Sequence, residues 1–109
     1  MTVSELSGLP MLEPLCLGTG LDRPVLSVYS CDLLSFVMGR APEGCAWITV
    51  MGNVNAIAVA VLADVACIVL AEGAAIDADA LARAQQQGVT VLRTELPVFD
   101  TGLAIHQQL

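Results

Sequence analysis

Lysine is absent from this chain of 109 residues, and four arginines face eleven carboxylates, for a formal net charge of −7. Nucleic acid and anionic membrane surfaces are held by clustered lysine and arginine, so both are excluded as partners. A chain without lysine also has no P-loop. Histidine occurs once, at His106. On the helix expected there it lies near Phe99 and Leu103, which makes it a packing or exposed residue rather than a base. No G-x-S-x-G is present to form a nucleophile elbow. Gly18-Thr19-Gly20-Leu21-Asp22-Arg23 starts like a dinucleotide fingerprint, but it lacks the third glycine, precedes a strand and opens no helix, so it is a turn. Cys16, Cys31, Cys45 and Cys67 include no C-x-x-C pair. Three of them fall in or beside apolar runs and read as small buried hydrophobes, free thiols that suit a reducing compartment. No catalytic constellation, metal centre or cofactor is expected from this inventory.

Apolar residues, by contrast, are abundant: 56% of the chain, against about 45–50% for soluble chains on a count that includes glycine. Mean hydropathy is +0.75. That excess rules out a disordered tail and raises the question of a membrane span. Cys45 to Ala63 is nineteen residues without a charge, close to the ~20 a spanning helix needs. The turn-type cluster Met51-Gly52-Asn53-Val54-Asn55 interrupts it, and Asp64 ends it. A strand, a turn and a helix fit this punctuation better than one span. Met1 to Gly8 has no basic segment of the kind that opens a secretory signal, so a cytoplasmic location is expected.

Read for periodicity, the chain alternates strands and helices. Leu12 to Leu17 is a short strand that Pro14 confines to an edge, and Val25 to Tyr29 is the next. Ser30 is expected to cap a helix running to Met38, with Leu33, Leu34, Val37 and Met38 on one face and Gly39 at its end. Cys45 to Met51 is a buried strand. Asn53 or Asn55 caps the following helix, which ends near Ala63 or Asp64. Ala66 to Ala71 is another buried strand. The helix from Asp77 to Gly88 carries a hydrophobic staple between Ile76 and Leu81. Val89 to Leu92 is the last strand, and Thr94 and Pro97 open a final helix bearing Val98, Ile105 and Leu109. Such alternation with short connections predicts one α/β domain over residues 1–109: a Rossmann-like layered fold with a mostly parallel sheet flanked by helices. Continuous apolar strands belong to such a sheet because both its faces are covered.

Two functional expectations follow. The helix Ala56-Ile57-Ala58-Val59-Ala60-Val61-Leu62-Ala63 is apolar almost all round and needs cover on two sides. A homodimer interface through Ile57, Val59, Val61 and Leu62 is the simplest way to supply it. Ligands of open α/β sheets bind beyond the carboxyl ends of the strands, where Ser30, Asp32, Asn53, Asn55, Glu72 and Thr94 fall, with Arg93 and Glu95 beside them. These residues either line a pocket for an anionic ligand such as a nucleotide or phosphometabolite, or only cap helices and turns.

Ser30-Cys31-Asp32-Leu33-Leu34-Ser35-Phe36-Val37-Met38, followed by Trp47-Ile48-Thr49 and Asn55-Ala56-Ile57-Ala58-Val59-Ala60, resembles the DRTGG-domain family. The likeness is to its small stand-alone members found beside iron-only hydrogenase genes in anaerobic bacteria. It runs from Val3-Ser4-Glu5-Leu6 through Ala66-Cys67-Ile68-Val69-Leu70 to Val91-Leu92-Arg93-Thr94-Glu95-Leu96. Asp22-Arg23 is similar to the family's Asp-Arg. Val28-Tyr29 stands where a glycine pair is expected, and Gly52-Asn53-Val54 stands where related chains carry a histidine, which weakens the case for a glycine-rich anion site. The resemblance implies a Rossmann-like domain with no established catalytic role. Domains of this type are accessory parts of phosphotransacetylases and CBS-domain pyrophosphatases and are similar to the N-terminal domain of the HPr kinase. It implies a regulatory or assembly module whose partner is a larger enzyme or signalling protein, with iron-only hydrogenase as one case.

Overall fold

The apolar runs pair side by side in the order in which they occur along the chain. In the computed structural model, which describes residues 1–109, β2 (Ser27–Ser30), β3 (Cys45–Thr49), β4 (Cys67–Leu70) and β5 (Val91–Arg93) are successive parallel neighbours. β1 (Glu13–Cys16) closes the far side antiparallel to β5, giving the order β1-β5-β4-β3-β2. Pro14 does sit on an edge strand, beside an irregularity in the pairing between Pro14 and Cys16, as a residue without an N–H must. The sheet is thus α/β and mostly parallel.

Right-handed crossovers that always step the same way put every crossover helix on one face. That face carries α2 (Leu34–Arg40), α3 (Val54–Ala63) and α4 (Ala78–Gln87) over Trp47, Ile68, Leu70 and Val91. The opposite face has only α1 (Val3–Ser7) and α5 (Val98–His106), packed on Ala46, Ile48, Val69 and Leu92. All residues of β3 and β4 are buried, so the hydrophobic excess is accounted for by two strands covered on both faces and the helices that cover them. Trp47, fully buried, donates its indole N–H to the Cys31 carbonyl at 2.9 Å, which meets the polar need of the one tryptophan. No helix is long and apolar enough to cross a membrane.

The structure shifts several expected boundaries. Ser30 is the last residue of β2 and caps nothing; α2 starts after Leu33, which has no side chain able to cap. The helix runs on to Arg40, so Gly39 lies inside it, and of the expected apolar face only Val37 is buried while Leu33 and Met38 are exposed. Between Asn53 and Asn55 the cap is Asn53, whose Oδ1 accepts from the Ala56 N–H at 2.9 Å. β5 begins two residues later than expected, at Val91, and Leu109 lies past the end of α5. α1 was not expected at all. It is held by a capping box in which the Glu5 N–H donates to Thr2 Oγ1 at 3.2 Å and the Thr2 N–H donates to Glu5 Oε1 at 2.9 Å. These bonds from Thr2 hold the Glu5 carboxyl below its usual range. The signal, Thr2-x-x-Glu5 before an apolar residue, stands in the sequence.

The helix α3 resolves its apolar problem inside the monomer. Ala56, Ile57, Val59 and Ala60 face this chain's own core, with α2 and α4 on either side. Ile57 and Val59, 1% and 6% exposed, therefore cannot form an interface with a second chain, which corrects that expectation. Val61 and Leu62 remain outside, at 43% and 70%.

Gly18 marks the tightest junction, between the end of β1 and the loop after α4. Its N–H donates to Thr90 Oγ1 at 3.0 Å, and the Thr19 N–H donates to the Gly88 carbonyl at 3.0 Å. A Cβ on Gly18 would stand 2.0 Å from the Gly88 oxygen. Gly18→Ala should therefore cost about 1–3 kcal/mol or more, the range for forcing atoms into packed space. Urea denaturation checks this, and an unchanged midpoint would contradict it.

Candidate functional site

The polar residues expected at the carboxyl ends of the strands do gather there, and most are engaged in holding the backbone. Asp32 Oδ1 accepts from the Thr49 hydroxyl at 2.8 Å and from the Val50 N–H at 3.1 Å, tying the end of β2 to the end of β3. Asn53 caps α3. Glu72, at φ 60°, accepts from the Val98 N–H at 2.8 Å and so supplies the N-terminal bond for α5. Thr94 is buried, and its hydroxyl accepts from the Leu96 N–H at 3.2 Å. The loops after β4 and β5 are further joined by backbone bonds from Glu72 to Leu96 and from Gly73 to Thr94. Arg93 donates to the Ala74 and Gly73 carbonyls at 3.1 and 2.7 Å and pairs with Glu95 at 3.2 Å. Only Ser30 and Asn55 make no side-chain hydrogen bond, and both are exposed.

Topology explains why these residues enclose no crevice. A ligand crevice in an open α/β sheet forms where neighbouring connections leave for opposite faces. Here the connections after β2, β3 and β4 all leave for one face. They diverge only between β4 and β5, where α4 and α5 lie on opposite faces, and there the backbone bonds from Glu72 to Leu96 and from Gly73 to Thr94 close the gap. None of the molecule's concavities is lined by Asp32, Asn53, Asn55, Glu72 or Thr94. Ser30 alone borders one, a shallow groove of about 510 Å³ between β2 and α5 that is otherwise formed by Val28, Phe99, Leu103 and His106 among others. A cleft of about 210 Å³ at the opposite end of the sheet contains Arg23, Asp64 and Gln87. Its cation is already committed: Arg23 donates to Asp64 Oδ1 at 2.8 Å and to the Asp64 carbonyl at 2.7 Å. The hydrogen bond from Arg23 holds the Asp64 carboxyl below its ordinary range.

All four cysteines are free thiols, and Cys16, Cys45 and Cys67 are buried. No three His, Cys, Asp or Glu side chains come together as a group able to hold a metal ion. His106 is exposed at the end of α5, where it borders the groove.

The surface feature that sequence reasoning found only in part, at Val61 and Leu62, is apolar. Phe36, Met38, Val61, Leu62, Phe99 and Leu103 are exposed on α2, α3 and α5, and Leu33 is exposed just before α2. Phe99 is 75% exposed. A signal was available in Phe99 and Leu103, four residues apart and hence on one helix face, but periodicity alone cannot say whether such a face looks inward or outward.

Fold and surface together define a small α/β module, wound in one direction, with a sealed carboxyl edge and apolar helix faces. Residues 32–108 match the model of the DRTGG domain, and the chain belongs to that family. Its fold is similar to the crystal structure of the CBS and DRTGG domains of the regulatory region of Clostridium perfringens pyrophosphatase, complexed with the activator diadenosine tetraphosphate. The TM-score is 0.73 at 17% identity, covering 90% of this chain and 43% of that one. The chain thus spans less than half the length of that relative. No curated protein matches it.

Two predictions follow from these contacts. Asp32→Ala leaves the Thr49 hydroxyl and the Val50 N–H without their acceptor and should cost about 1–3 kcal/mol by urea denaturation; no loss would show that Asp32 is not a structural pin. Burial pushes the Cys67 thiol from an ordinary 9.0 to about 12 and the Cys45 thiol from 9.0 to about 11. A folded pKa raised in this way gives stability that is complete below the unfolded value and is lost as pH rises through the folded one. The melting temperature should therefore fall from pH 9 upward, and less steeply in Cys45→Ala. Parallel profiles for the two proteins would contradict this.

Proposed function

We propose that this chain, taken as one unit over residues 1–109, is a non-catalytic regulatory module that acts through protein contacts. It forms a homodimer and, as a dimer, engages a larger enzyme or signalling protein in the cytoplasm. One contrast carries this reading. The polar residues that could have built a ligand or catalytic site are used as caps and ties, while large apolar side chains stand exposed on three helices. Exposed apolar side chains that cluster on one helix face, as Phe99 and Leu103 do on α5, mark an interaction site. The regulatory setting of the similar pyrophosphatase domains supports a regulatory role. The resemblance to hydrogenase-associated members makes iron-only hydrogenase machinery the first larger partner to test.

A second reading has its own support. The similar pyrophosphatase region is complexed with diadenosine tetraphosphate, and Ser30, Asn55 and the second oxygen of Asp32 remain open at the carboxyl edge. On that reading the chain is a small-ligand domain for a nucleotide or phosphometabolite.

Light scattering and thermal shift on the purified chain separate the two. The module reading predicts a particle of twice the 11.3 kDa chain mass, with a dissociation constant on the order of 1 µM or tighter. It also predicts no shift with diadenosine tetraphosphate or other nucleotides. A ligand present at about 100 times its dissociation constant adds about 2.7 kcal/mol, a shift of at least several degrees for a domain of this size. A monomer that nucleotides stabilise, with the effect lost in Asn55→Ala, would replace the module reading by the ligand one.

A further inference from the structure

The two edges of the sheet are treated differently. β1 carries the devices that keep an edge from pairing with another chain: the charge of Glu13, the missing N–H of Pro14 and an irregularity in its register. β2 has none of them. Its four residues, Ser27-Val28-Tyr29-Ser30, contain no charge, proline or bulge, and no strand lies beyond it.

Backbone alternation tells which groups on β2 are unused. In a parallel pair, alternate residues bond to the neighbour and those between them face away. The Cys31 N–H donates to the Ile48 carbonyl at 3.3 Å, which with Ser30 opposite Ile48 in the register sets the phase, so the N–H and C=O groups of Val28 and Ser30 face the open edge. The single buried side-chain polar atom without a hydrogen-bond partner, Ser27 Oγ, belongs to the same strand.

Resting on the association reading above, we propose that β2 pairs antiparallel with β2 of a second copy about a twofold axis at Val28, joining two five-stranded sheets into one of ten strands. Val28 of each copy then exchanges both backbone hydrogen bonds with Val28 of the other. The two Val28 side chains meet on the axis as a hydrogen-bonded pair.

Both flanks of the strand fit this occupant. Val28 packs on the α5 side of the sheet, where Phe99 and Leu103 border the groove beside it; Tyr29 packs on the α2 side. A twofold therefore brings α5 toward α5 and α2 toward α2, covering exposed Phe99, Leu103, Leu33 and Phe36.

Charge agrees as well. Copies with a net charge of −7 repel, yet residues 27–40 and 98–106 contain only two of the eleven acids, Asp32 and Asp100. Arg40 stacks on Phe36 at 4.1 Å and has no carboxylate partner within the chain. α2 runs back along β2, leaving Arg40 toward the amino end of the strand and Asp32 at its carboxyl end. Antiparallel pairing turns each Arg40 toward the Asp32 of the other copy.

Sedimentation of the wild type, Val28→Lys and Leu62→Lys, with amide exchange at Val28 of the wild type followed by NMR, tests this surface. The expected result is a wild-type dimer, weakened at least about 100-fold by two lysines facing each other across the axis. Leu62→Lys should leave it unchanged. The Val28 amide should be protected at high concentration and exposed on dilution. A dimer lost in Leu62→Lys and kept in Val28→Lys overturns this surface but leaves the association reading standing. A wild-type monomer at about 100 µM, well above the range set for the dimer, overturns both. Should Val28→Lys fail to fold, the wild-type amide decides: exchange at Val28 that does not change with concentration overturns the proposal.

Discussion

Burial of β3 and β4 on both faces is the constraint from which the rest of the structure follows. Their backbone groups are satisfied by the parallel ladder, and their side chains must be covered above and below. The chain meets that demand by winding from β2 to β5 in one direction, which sends α2, α3 and α4 to a single face. Only α1 and α5 remain for the other. Two helices cover Ala46, Ile48, Val69 and Leu92, but α5 has little to pack against on its outer side. Phe99 and Leu103 are left in water beside an unpaired strand.

The usual place for a ligand is filled. Where the connections diverge, between β4 and β5, the loops at the carboxyl ends bond to one another. Their polar side chains close those bonds: Asp32 between β2 and β3, Glu72 onto α5, and Arg93 under the loop after β4. Chemistry that resembles a binding site in the sequence becomes the internal fastening of the sheet end. What the module presents to its surroundings is an edge and exposed apolar side chains on three helices.

Much of the fold was legible because its signals are local. Strand and helix alternation, Asn53 as a cap, the stop at Gly88 and the edge position of Pro14 all follow from residue chemistry at single positions. α1 was missed although Thr2 and Glu5 spell a capping box, because a five-residue helix has too little apolar periodicity to be noticed. Ser30 misled because a serine before a helical pattern looks like a cap whether or not a strand has already claimed it. The site was less legible for a different reason. Whether Asp32 or Glu72 caps a backbone or waits for a ligand depends on the hand and order of the crossovers, which no local pattern encodes. Likewise, the apolar run from Ala56 announced that cover was needed, but not that Ile57 and Val59 would find it within the chain while Val28 and Phe99 would not.

The open edge at β2 is the proposed meeting place of two copies. Isotope-filtered NMR on a mixture of labelled and unlabelled chains tests that most directly. Intermolecular cross-peaks between Val28 methyl groups, and between the α5 side chains of Phe99 and Leu103, are the predicted result. Cross-peaks confined to Val61 and Leu62, or none at all, would contradict it.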